Sequence, residues 1–144
     1  MEDFVTFEIA KKLKENGFRC KCLAYYDVED NVGLLYNTQY SDELLPCQYT
    51  ELLASYNSGD IAANLDTSDN CIDAPTISQV LEWLRNEKNI FVVVFIDDDS
   101  DYPVTYNIFR GTDFVYHHHG NYFTLSEWSE CEMAGIEYVI DNLI

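Results

Sequence analysis

Apolar positions along the chain recur with two different periods. Val5, Ile9 and Leu13 return every fourth residue, with Lys11, Lys12 and Lys14 beside them, which predicts an amphipathic helix over Phe7–Asn16. Thr6 is its expected N-cap, and Asn16-Gly17 its stop, since glycine accepts the left-handed backbone past a helix end. A second helical stripe follows Cys71. Ile77, Val80, Leu81 and Leu84 share one arc of about 100°, with Ser78, Glu82, Arg85 and Asn86 opposite. Pro75 suits a first helical turn, so Asp73 or Ala74 is the expected cap, and Asn89 the end. A third stripe joins Trp128, Ile136, Val139, Ile140 and Leu143 in a helix expected to run from a Ser126 cap nearly to Ile144. Glu132 falls inside that apolar arc. Glu127, Glu130, Glu137 and Asp141 lie opposite it, within about 80° of each other.

Between these helices the period changes. Cys22–Tyr26 and Leu34–Tyr36 predict a hairpin around a turn at Val28–Gly33. Phe91–Ile96 is apolar without alternation, so both faces of that strand are expected to be covered. Asp97–Asp101 turns the chain, and Pro103 precedes a strand over Val104–Phe109. Phe114–His117 returns after Arg110-Gly111-Thr112, and Tyr122-Phe123 is a candidate third arm. Residues 38–72 carry little pattern beyond a short helix candidate at Thr50–Tyr56. Helices do not alternate regularly with single strands. The expected class is α+β: a mainly antiparallel sheet of about five strands with three helices, the α-β-α sandwich being one such form. The 144 residues fit a single domain, 1–144.

Charge narrows the partners. Net charge is −18, from 26 acids against 8 lysines and arginines. Residues 1–22 hold Lys11, Lys12, Lys14, Arg19 and Lys21. Beyond them only Arg85, Lys88 and Arg110 oppose the acids. Such a field repels phosphate backbones and anionic lipid, so neither direct nucleic-acid binding nor membrane binding is expected. It suits a basic partner protein. No apolar run approaches the roughly 20 residues of a bilayer span. Met1-Glu2-Asp3 opens without a basic n-region, so no secretory signal is expected. The five cysteines are odd in number and scattered. They read as reduced thiols of a cytoplasmic protein. Eleven tyrosines and Trp83 suit half-buried sheet faces and are compatible with a dimer, without fixing an oligomeric state.

Candidate chemistry is sparse. His117 and His119 would share one face of a strand and supply two imidazoles to a metal, but no third ligand stands at a motif spacing. Asp97–Asp101 lacks the glycine and glutamate of a calcium loop, with Tyr102 and Ile108 in those places. Cys20-x-Cys22 is too close for a zinc knuckle. No nucleophile elbow, dinucleotide glycine motif or phosphate-binding loop is present. No cofactor is implied and no enzyme is expected. The row Glu127, Glu130, Glu137 and Asp141 is the candidate partner-binding surface. Carboxylates on a rigid helix also imitate a phosphate backbone.

Three segments carry a resemblance. Phe7–Phe18, Asp73–Arg85 and Ala134–Leu143 resemble small uncharacterised proteins of gut Bacteroides, many of them in prophage or mobile-element settings. The order of elements also looks like that of phage α-β-α sandwich domains. The resemblance implies a scaffold and assigns no site residue. The leading expectation is an accessory protein of phage or mobile-element origin that acts by binding a protein without catalysis. The alternatives are an acidic DNA mimic that inhibits a nucleic-acid-binding protein, and a metal-dependent enzyme using His117 and His119.

Overall fold

The structure, a computed structural model, describes residues 3–18, 22, 24–27, 34–36, 71–98 and 100–144. It divides into two units, residues 1–76 and 77–144, taken here in turn. The expected turn at 28–33 and the helix at 50–56 lie outside the described residues.

In the first unit the Thr6 hydroxyl accepts the Ile9 N–H at 3.4 Å, and α1 (Phe7–Glu15) starts there, as its cap predicts. Gly17 follows the helix with φ +86°, the backbone state that glycine adopts without cost. Ile9, Ala10 and Leu13 are buried, so the four-residue stripe is the packed face. β1 (Ala24–Asp27) pairs antiparallel with β2 (Leu34–Tyr36) on one side and β3 (Cys71–Ala74) on the other. The helix packs on β3. The Tyr26 hydroxyl donates to the Val5 carbonyl at 2.8 Å, and its ring meets Phe7 edge-on at 5.5 Å. This ties the segment before α1 to the middle strand.

β3 corrects the sequence reading. Cys71–Ala74 is a strand, so neither Asp73 nor Ala74 caps a helix. The physical reason is that the segment is held extended from two sides. Ala74 pairs with Ala24, the Val5 N–H donates to the Pro75 carbonyl at 3.0 Å, and Phe4 bridges Thr76. A residue before proline is also driven to extended backbone. Pro75 therefore precedes the helix instead of opening it.

The second unit begins with α2 (Ile77–Lys88), which buries Ile77, Val80, Trp83 and Leu84. Asn89 ends it with φ +56°, and its carbonyl accepts the Gly111 N–H at 2.8 Å. β4 (Ile90–Ile96), β5 (Val104–Arg110) and β6 (Asp113–His117) form an antiparallel sheet in that order. Phe123 bridges Val104 and extends the pairing past β6, the third arm that Tyr122-Phe123 suggested. A 3₁₀ turn (Leu125–Glu127) leads into α3 (Trp128–Asn142). Thr124, not Ser126, occupies the cap. Its N–H donates to Glu127 Oε1 at 2.9 Å, and its carbonyl accepts the Glu127 N–H.

α3 packs on β4, β5 and α2. Its buried residues are Cys131, Gly135, Ile136, Val139 and Ile140. Tyr138 stacks on Tyr116 of β6 at 3.7 Å between centroids. Trp128, placed by the helical projection on the apolar side, is instead 38% exposed.

The class is α+β with three α-helices among the described residues. The described strands form two three-stranded antiparallel sheets, not one sheet of about five.

Candidate functional site

Gly135 decides which side of the second sheet is covered. A β-carbon placed on it would lie 2.4 Å from Val92 Cγ1 and 3.4 Å from the Tyr106 ring. Val92 and Tyr106 therefore face α3. Side chains alternate across a strand, so Phe91, Val93 and Phe95 face the other way. Register carries this face across the sheet: Phe91 opposes Phe109, which opposes Phe114, and Val93 opposes Asn107, which opposes His117. Phe109 and Phe114 meet edge-on at 5.8 Å. Val93 is 42% exposed and Phe114 is 59% exposed, while Phe91, Phe95 and Phe109 are half-buried. Among the described residues of this unit no helix is seen to cover that face of β4, so the expected cover on both faces is found on one only. Apolar composition on both sides of a strand shows that both are suited to burial, not that both are buried within the chain.

One end of the same face is polar. His117 Nδ1 lies 2.6 Å from Asn107 Oδ1, and His117 Nε2 lies 3.0 Å from the Tyr122 hydroxyl. That hydroxyl donates to Asp97 at 3.0 Å. Tyr122 has one proton to give and Asp97 takes it, so His117 Nε2–H donates to Tyr122. The Asn107 amide engages Nδ1 in either orientation, as acceptor through its oxygen or donor through its nitrogen. Either way both ring nitrogens are engaged. Desolvation holds the Tyr122 phenol above its ordinary range, and the hydrogen bond to Asp97 adds to it. The chain Asn107–His117–Tyr122–Asp97 can fix the loops that follow β4 and β6. Within it both ring nitrogens of His117 are taken.

The metal candidates are adjacent but poorly disposed. The His117 and His119 rings are 5.7 Å apart and perpendicular. His117 ends β6, and His119 has left the strand and packs on Tyr116. No group of three His, Cys, Asp or Glu side chains among the described residues is arranged to hold a metal ion. In the acidic turn Asp97 takes Tyr122, and Asp98 accepts the Ser100 N–H at 2.8 Å. The Ser100 side chain, then its N–H, keeps the Asp98 carboxyl below its usual range.

The acidic row is shorter than its sequence. Glu130, Glu137 and Asp141 lie exposed on α3. Glu127 precedes that helix and caps the 3₁₀ turn. The Thr124 N–H, then the Thr124 side chain, lower its pKa. Cys131, unremarked in the apolar arc, is fully buried, and burial pushes its thiol up to about 12, with the charge of Glu132 adding. Cys22 is buried as well. Cys20 lies outside the described residues.

Sequence reading missed the mixed face itself. Its members come from positions 91 to 122 and meet only through register. The available signal was weak: Val93, Asn107 and His117 sit at like parity in their strands, which matters only once the pairing is known. No described helix is long and apolar enough to cross a membrane. No family model, curated protein or solved structure matches the chain.

Proposed function

We propose that the chain is a non-catalytic cytoplasmic accessory protein, of phage or mobile-element origin, that works by binding a basic protein. The observation that supports this most is the aromatic face of the second sheet, exposed at Val93 and Phe114 on a chain of net charge −18. An apolar face of this kind marks a contact surface more often than a solvent boundary. The surrounding charge selects partners of opposite sign and speeds their encounter. The finer arrangement, an α-β-α sandwich, belongs to the same proposal.

The test is complex formation in the native host background. A tagged form should co-elute through size exclusion with a basic protein at fixed stoichiometry, and the complex should weaken as salt rises. Absence of any complex, together with turnover of a substrate by the purified protein, would overturn the reading. Glu130, Glu137 and Asp141 give the DNA-mimic reading its own arm. If duplex DNA displaces the partner, and charge reversal of those three abolishes binding, the acidic helix is the contact surface.

A further inference from the structure

We infer that the face of the second sheet opposite α3 docks one amphipathic helix of a basic protein, with apolar side chains on Phe91, Val93, Phe109 and Phe114. This rests on the protein-binding reading above and names the surface and the partner's chemistry. Three observations choose the occupant.

The first is dimension. Three strands about 4.8 Å apart present a face about 10 Å between its outer strands, close to the 10–12 Å diameter of a helix with its side chains. The opposite face already carries α3, packed on β4 and β5. A partner helix would complete an α-β-α layering.

The second is charge. Asp97, Asp98 and Asp101 are exposed at one end of the face, while Asp113, paired with Arg110, belongs to the helix-covered side. The basic side chains of this unit lie elsewhere. Arg85 and Lys88 are on α2, where Lys88 sits over the Trp83 ring at 5.4 Å. Arg110 opposes Ile90 on the helix-covered side and donates to the Leu143 carbonyl at 3.4 Å. An apolar centre with an acidic end fits an apolar stripe flanked by lysine or arginine.

The third removes the main competitor. A second copy of this chain would bring another −18 against the same acidic end, and like charges set against each other disfavour that contact.

The probe is a synthetic 20-residue helix with leucines in one stripe and lysines elsewhere. Its scrambled form keeps the composition and loses the stripe. Anisotropy titrations should show the striped peptide binding at least about tenfold tighter than the scrambled one, a difference of about 1.4 kcal/mol. Val93→Glu and Phe114→Ser should each erase that preference, and Glu137→Gln on α3 should leave it within about twofold. Circular dichroism checks that each variant is folded, and Phe114→Ser keeps the test alive if Val93→Glu is not. Equal binding of the two peptides overturns the face assignment while leaving charge-driven protein binding standing. Failure of both peptides to bind overturns both readings. A wild-type dimer in sedimentation equilibrium that Phe114→Ser dissociates also overturns the proposal, because a second copy then covers the face.

Discussion

Gly135 of α3 lies against Val92 of β4 so closely that a β-carbon on the glycine would fall 2.4 Å from Val92 Cγ1. This approach seats α3 on the sheet, and through strand alternation it assigns Val93 to the opposite face. Gly135→Ala is expected to destabilise the protein by about 1–2 kcal/mol. Overpacking costs about 1–3 kcal/mol, and the gain in helix propensity offsets at most about 1 kcal/mol. Urea denaturation checks this, with Gly135→Ala/Val92→Ala as the partner variant. The double variant should lose less than the two single losses added, because the residues are in contact.

Glu127 should show its cap through pH. Its folded pKa lies below the ordinary glutamate value. The ionised cap therefore stabilises the fold above that ordinary value, and the contribution is lost as pH falls through the folded one. Glu127→Gln should melt below wild type at pH 7, and the two melting curves should converge at pH 3. A gap that persists at pH 3 would mean the carboxylate charge is not the source.

Alkaline stability should depend on Tyr106. Burial raises its phenol, and the charges of Tyr116, Cys131 and Tyr138 add to that. The unfolded chain gives up this proton near pH 10, and the folded one holds it to higher pH. The contribution is complete below about pH 10 and is lost as pH rises through the raised folded value. Melting temperatures followed from pH 8 to 11 should fall less steeply in Tyr106→Phe than in wild type.

Cys131 should be inert in the native protein. Its thiol is buried and its pKa stands at about 12, so the reactive thiolate is scarce at neutral pH. Iodoacetamide at pH 8 should leave the Cys131 peptide unmodified until denaturant is added, as read by mass spectrometry. Labelling under native conditions would contradict the burial.

Local signals made the helices legible. Thr6 and the Val5–Ile9–Leu13 spacing placed α1 within a residue of its observed ends. α3 was legible in its interior but not at its start, although Thr124 and Glu127 stand at capping-box spacing. Ser126 is an equally good capping residue by type, and its hydroxyl instead meets that of Thr124 at 3.0 Å. β3 was hidden because Pro75 suits both a helix start and a strand end, and only pairing with Ala24 and Phe4 decides between them. The exposed face was illegible for a different reason. Phe91–Ile96 carries apolar residues on both sides, and burial by a helix on one side leaves no mark on the composition of the other. The Asn107–His117–Tyr122–Asp97 chain likewise exists only in the paired register.

Val92 and Val93 provide the sharpest reading of the docking face, because they are adjacent in sequence and opposite in space. Methyl-resolved NMR of the protein titrated with the striped lysine–leucine peptide separates them. The Val93 methyls and the Phe114 ring should shift and broaden, while the Val92 methyls beneath Gly135 stay within a small fraction of that change. Shifts confined to α3 around Glu130, Glu137 and Asp141, with Val93 unmoved, would contradict a docking face on the sheet.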